Sequence, residues 1–159
     1  DLGKCAVLMY IDNNARRLLD EEFFCIQSHP RTGADILNRM GCGRTLALAA
    51  LYHHCYYNGK GGYPNDVPSC PPEIKGIVDA LSVADSLDAA TDNIGRCYNL
   101  AKPFRALLEE LRAQSGTRYA PNVVALFEDE RFCQQLAENM DAERKRVYLQ
   151  VYHAGSEEK

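Results

Sequence analysis

Long apolar runs, paired cysteines and an excess of positive charge are what this chain of 159 residues lacks. No stretch approaches the roughly 20 consecutive apolar residues that cross a bilayer, and no signal-peptide pattern is visible. The seven cysteines, Cys5, Cys25, Cys42, Cys55, Cys70, Cys97 and Cys133, are odd in number and include no CxxC pair. That excludes a zinc-ribbon spacing and a closed disulfide framework. Reduced thiols in a cytoplasmic protein, several of them core fillers, are the expectation. The net charge of −4 argues against duplex nucleic acid or a membrane surface as partner, since both favour clustered positive charge. A small anionic substrate stays open, because bound metal ions would add positive charge that a residue count does not see. Repeats, low-complexity tracts and persistent strand patterns are missing too.

What remains is an ordinary globular composition, 46% apolar and 25% charged, with length enough for one domain and a sizeable core. The pattern is helical. Asp20 is placed as an N-cap, with Glu21 and Glu22 in a first turn that favours negative charge. Pro30 is expected to break or kink the run after His29. Residues 44–55 read as a central buried helix. The stretch 56–72 holds Gly59, Gly61, Gly62, Pro64, Pro68, Pro71 and Pro72 and must be loop, expected to be exposed and mobile. Glu73 to Ala90 repeats Ile74, Ile77, Leu81, Ala84 and Leu87 at helical spacing. Phe104 to Gln114 follows Pro103. Short helices around 122–127, 130–138 and 142–151 finish an all-α bundle, with 154–159 as a frayed tail.

Histidine is scarce as well, at four residues, yet His53 and His54 are adjacent. Neighbours on a helix point about 100° apart, so one helix cannot comfortably aim both at one ion. It can offer one imidazole to each of two ions a few Å apart. His29 before Pro30, Asp1 at the chain start and Asp85 in an apolar segment supply the remaining donors such a centre needs. Imidazole with carboxylate suits Fe, Mn or Zn, and an ion offsets the cost of burying a carboxylate.

The motifs follow one order: Asp1-Leu2-Gly3-Lys4, Leu19-Asp20-Glu21-Glu22-Phe23, His29-Pro30-Arg31-Thr32-Gly33, His53-His54, Gly62-Tyr63-Pro64, Val83-Ala84-Asp85-Ser86-Leu87-Asp88 and Gly116-Thr117-Arg118-Tyr119. From residue 1 to about 128 the chain resembles the HD-GYP family, HD-domain phosphohydrolases that cleave cyclic di-GMP in bacteria. The resemblance implies an HD-domain-like helical bundle over 1–153 and metal-dependent hydrolysis of a cyclic dinucleotide to the linear dinucleotide or GMP. It implies two divalent ions, iron or manganese, held by Asp1, His29, His53, His54 and Asp85, with Asp88 behind them. Lys4 takes the family's phosphate-contacting lysine, acting with Asp1 in catalysis. Arg96 resembles its substrate-binding arginine, with Lys102 as a weaker candidate. A partner or sensory domain upstream is implied as well. The sequence begins at the aspartate of the family's His-Asp pair, so the preceding histidine and helices lie outside it. A fragment, with incomplete metal loading, is the expectation.

Three departures open rival readings. The family's His-His-Glu becomes His53-His54-Cys55, its Asp-Gly-x-Gly-Tyr-Pro loop begins at Asn58 with an extra glycine, and the Ile-Pro after its lysine becomes Cys5-Ala6. One rival is a catalytically inert module that binds nucleotide or a partner protein. The other is an HD phosphohydrolase for a different nucleotide.

Overall fold

A computed structural model describes residues 2–6, 18–92 and 101–157, with backbone alone for 5, 6 and 154–157. The order is a 3-10 turn (Leu2–Ala6), α1 (Asp20–Ile26), α2 (His29–Arg39), α3 (Arg44–Tyr52), α4 (Pro72–Thr91), α5 (Phe104–Ala113), α6 (Pro121–Val124), a second 3-10 turn (Ala125–Glu128) and α7 (Glu130–Glu157). No strand occurs among the described residues, so the all-α expectation holds; Cys55–Gly62 and Ser115–Tyr119 are isolated bridges. The chain forms two compact units, one up to Val124 and the other from Ala125. No described helix is long and apolar enough to cross a membrane.

Several boundaries differ from the sequence reading, each for a local reason. Leu19, not Asp20, caps α1; its N–H donates to the Glu22 carboxylate at 2.8 Å. The break comes before His29, because Pro30 needs no N–H partner in the first turn of α2. Helix α3 stops at Tyr52, leaving His53 and His54 in the turn beyond it. On α4 the buried stripe is Ile74, Val78, Ser82, Val83 and Leu87, whereas Ile77 and Leu81 face solvent. That helix carries apolar residues on two faces, so periodicity alone cannot say which is inward. The short helices expected from 130 onward are one helix of 28 residues reaching Glu157, with residues 158–159 outside the described set.

The first unit is built around the helix pair α2–α3, with the N-terminal 3-10 turn packed on α2 and α4 packed on α3. Glycine makes the first contact possible: a β-carbon on Gly3 would lie 2.0 Å from the His29 carbonyl oxygen and 2.7 Å from the Gly33 nitrogen. Tyr52, Ile74 and Val78 form a core cluster, with Leu48, Leu51, Cys55, Val67 and Cys70 packed on it. Leu107, Leu108 and Leu111 on α5, with Tyr119, Ala120 and Val124, are buried as well.

Candidate metal centre

Helix ends assemble the site. His29 opens α2 and His53 closes α3, so each ring can reach back to a backbone carbonyl left unpaired there. His29 Nδ1–H donates to the Ile26 oxygen at 2.6 Å, and His53 Nδ1–H donates to the Ala50 oxygen at 2.7 Å. These bonds assign both rings the Nδ1–H tautomer. Each Nε2 then presents a lone pair, and the two Nε2 atoms face one another 3.2 Å apart. His54 joins them, its ring centroid 4.2 Å from that of His53 and 4.9 Å from that of His29. Ligand atoms of the three histidines all lie within 4.8 Å of one another.

Asp85 approaches from α4, its Oδ2 3.7 Å from His54 Nε2. That separation exceeds a hydrogen bond, and His54 Nε2 is buried with no hydrogen-bond partner. Donors that share an ion at about 2 Å each stand up to about 4 Å apart, so the spacing fits coordination better than direct bonding. Three histidine nitrogens within 4.8 Å of one another, with a carboxylate beside His54, are a donor set for a borderline divalent cation.

The electrostatics agree. Burial lowers the pKa of His29 to about 4, and the Lys4 charge pushes the same way against the Ile26 hydrogen bond. Burial also lowers that of His53, although Ala50 and Asp85 oppose it. His54 is lowered to about 2, again first by burial, then by the charges of His53, His29, Lys4 and Arg118. Neutral imidazole is the metal-binding form, so protons compete little for these nitrogens near neutral pH.

Around the centre, the loop after His54 turns back on itself. Tyr63 N–H donates to the His54 oxygen at 3.2 Å and Tyr56 N–H to the Gly61 oxygen at 3.1 Å. Gly62, at φ +81°, passes so close that a β-carbon would lie 2.0 Å from the His54 oxygen. The Tyr63 ring lies 4.5 Å from the His54 ring, tilted 33°, and meets Phe23 edge-on. The Cys55 thiol points at the Pro64 and Tyr63 oxygens, at 3.5 and 3.7 Å. Burial pushes this thiol up to about 11. Tyr57 and Asn58 N–H groups donate to the Arg118 and Thr117 oxygens, both at 3.1 Å. Residues 56–61 are exposed as expected, and these bonds join 57–58 to the 117–118 segment and Tyr63 to His54.

Of the site residues named from sequence, the structure brings His29, His53, His54 and Asp85 together. Lys4, half-buried in the 3-10 turn, is near enough for its charge to act on all three histidines. Asp88 is exposed on α4, nearly one turn past Asp85. Asp1 and Arg96 lie outside the described residues. Lys102 is bound to Glu110 at 2.7 Å, an ion pair within the scaffold and not a ligand-facing cation. Sequence reasoning gave no role to Tyr63, whose ring faces His54, or to Arg118, although both stand in quoted motifs.

A cyclic di-GMP phosphodiesterase of Thermotoga maritima is 33% identical over 129 residues, covering 80% of this chain and 34% of that protein. The chain is a divergent HD-GYP protein. Also similar to it are the 3′3′-cGAMP-specific phosphodiesterase 2 of Vibrio cholerae, 33% identical over 130 residues (79% of this chain, 24% of that protein), and the cyclic di-GMP phosphodiesterase response regulator RpfG of Xanthomonas campestris, 32% identical over 130 (78% and 32%). No family model matches the chain. The HD-GYP chain thus spans about a third or less of the length of these relatives. HD-GYP phosphodiesterases are metal-dependent, and His29, His53 and His54 form a group that could bind metal.

Proposed function

We propose that this chain supplies the catalytic centre of a metal-dependent phosphohydrolase that opens a cyclic dinucleotide, cyclic di-GMP before others, to the linear dinucleotide or GMP. The convergence of His29, His53 and His54 with Asp85 carries the reading, and the activities of the relatives support its substrate class. His29 and His53 would hold metal through Nε2, their Nδ1–H groups being committed to Ile26 and Ala50. His54 would add its ring and Asp85 of α4 its carboxylate, Asp1 would be a further ligand, and Asp88 would support the ligands. Bound iron or manganese supplies Lewis acidity toward the phosphate and acidifies water near it. Lys4, and Arg96 with it, would neutralise charge growing on the non-bridging oxygens. Tyr63 and the Gly62 turn shield His54 from water and hold its ring. An upstream sensory or partner domain accords with the greater length of the relatives.

One observation favours the inert-module rival: the thiol of Cys55 stands in the family's glutamate position and is directed into the loop, away from ion chemistry. The deciding experiment uses protein with a histidine placed before Asp1 and loaded anaerobically with manganese or iron. It is incubated with cyclic di-GMP and, separately, 3′3′-cGAMP, and linear product is followed by chromatography. Linear dinucleotide from cyclic di-GMP is the expected result. Fully metallated protein that binds the nucleotide and releases no product would transfer the case to the inert module, and an empty metal site would end both catalytic readings.

A further inference from the structure

We propose that Arg118 is a phosphate-binding residue of this centre, presenting its guanidinium to the anionic substrate from the α4 side. The proposal rests on the phosphohydrolase reading and extends it to a residue outside the ligand set.

The backbone places it. After α5, Gly116 at φ +75° reverses the chain, and Arg118 N–H donates to the Gln114 oxygen at 3.1 Å while its carbonyl accepts from Tyr57 N–H at 3.1 Å. The side chain therefore starts from a segment bound to the loop that follows His54. Its far end is held on both sides. Nη2 donates to Ser86 Oγ at 3.4 Å, and Cζ lies 5.0 Å from the Tyr119 ring and 5.9 Å from the Tyr56 ring. Ser86 is the residue after Asp85, and Tyr56 is two residues past His54. The guanidinium thus sits between the two segments that carry the last two members of the centre, and its charge is felt at His54.

Its donors are underused. Guanidinium offers five N–H groups, and the one hydrogen bond formed here is a long one to a neutral hydroxyl. No carboxylate pairs with Arg118 among the described residues, whereas Arg31 pairs with Asp66, Lys75 with Asp79 and Lys102 with Glu110. An arginine kept for scaffold would gain by such a pair. Beside the cations that His54 and Asp85 would hold, an unpaired guanidinium would be unfavourable until an anion arrives. A phosphodiester meets that need, because its two non-bridging oxygens match the planar fork. Stacking on Tyr56 and Tyr119 keeps the fork oriented before ligand binds, which lowers the ordering cost.

The test compares wild-type protein with Arg118→Lys, Arg118→Gln and Arg118→Ala after manganese loading. Inorganic phosphate is titrated calorimetrically, KM and kcat are measured with cyclic di-GMP, and manganese content and thermal midpoint are recorded for each. Arg118→Gln and Arg118→Ala should weaken phosphate binding by roughly tenfold or more, the scale of a lost charge-assisted pair. KM should rise in parallel, with manganese content unchanged and with Arg118→Lys recovering part of the loss. Phosphate affinity and KM unchanged in Arg118→Gln would overturn the proposal, as would wild-type protein that binds no phosphate. A loss that simply follows manganese content or melting temperature through all three variants would place Arg118 in the scaffold and overturn it too. Arg118-dependent phosphate binding without turnover of cyclic di-GMP would leave this residue's role standing and defeat the wider reading; normal turnover indifferent to Arg118 would do the reverse.

Discussion

Gly3 packs against the backbone of His29 so tightly that a β-carbon there would lie 2.0 Å from the His29 carbonyl oxygen. That oxygen belongs to the first turn of α2 and cannot retreat without moving the imidazole attached to the same residue. The contact therefore couples the 3-10 turn that carries Lys4 to the entry of His29 into the centre. Gly3→Ala should cost on the order of 1–3 kcal/mol, the range for overpacking a close contact. The expected outcome is a melting temperature several degrees lower together with weaker manganese binding, both read on purified protein. Unchanged melting and unchanged metal affinity would mean that the turn is not seated on α2 as described.

Removal of single donors should separate the centre from its surroundings. His53→Ala takes away the Nε2 that faces His29 at 3.2 Å, and Asp85→Ala takes away the carboxylate beside His54. Each should lower manganese affinity by more than about 100-fold, beyond the 10–100-fold typical of groups that only orient ligands. Turnover of cyclic di-GMP should be abolished in both, and elemental analysis against wild type is the check. Full metal content in His53→Ala would remove that histidine from the ligand set.

How much of this was legible in the sequence depends on what each feature rests upon. That His29, His53, His54 and Asp85 come close together was legible, because their residue types and order in this chain match the HD-GYP motifs. The tautomers of His29 and His53 were not, because they depend on Ile26 and Ala50 carbonyls that become free only where helices end. Placing the break after His29 and extending α3 to residue 55 missed those ends. Arg118 was quoted within a motif yet given no role, since its meaning comes from Ser86 and Tyr56, distant in sequence. The inward face of α4 was not legible, because Ile77 and Leu81 are as apolar as Ile74 and Val78. The loop at 56–72 was read from glycine and proline content, which says nothing of its bonds to Thr117 and Arg118.

Acid should destabilise the metal-free fold. His29 is 1% exposed, and burial first of all lowers its pKa from 6.5 to about 4. Above pH 6.5 the ring is neutral in folded and unfolded chains, so it gives no pH dependence. Between about 6.5 and 4 the unfolded chain takes a proton that the folded chain refuses, and stability falls as pH falls. Below about 4 this contribution levels off. The loss from His29 alone is on the order of 3 kcal/mol by linkage, and His54, lowered to about 2, acts in the same direction. Thermal melts in chelator at pH 7.5, 6, 5 and 4 should show the decline, which His29→Gln should reduce. A flat profile from pH 7 to 4.5 would contradict the burial of these rings.

Cysteine reactivity offers a test of the loop that needs no metal. Cys25 and Cys42 are exposed, whereas Cys55 is half-buried beneath the Tyr63–Pro64 turn. Burial holds the Cys55 thiol at about 11, and alkylation requires the thiolate. At pH 8 a group with that pKa is almost wholly protonated. Iodoacetamide should therefore label the exposed Cys25 and Cys42 much faster than Cys55, as read by peptide mass spectrometry. Restricted access to Sγ, which faces the Tyr63 and Pro64 oxygens, pushes the same way. Gly62→Ala provides the complement: its β-carbon would meet the His54 oxygen at 2.0 Å, so the turn must lift away. Cys55 labelling should then accelerate towards the rate of Cys25, while Cys25 itself is unaffected. Rapid labelling of Cys55 in the wild-type protein would show that the loop does not close over it, and the shielding of His54 by Tyr63 would fall with it.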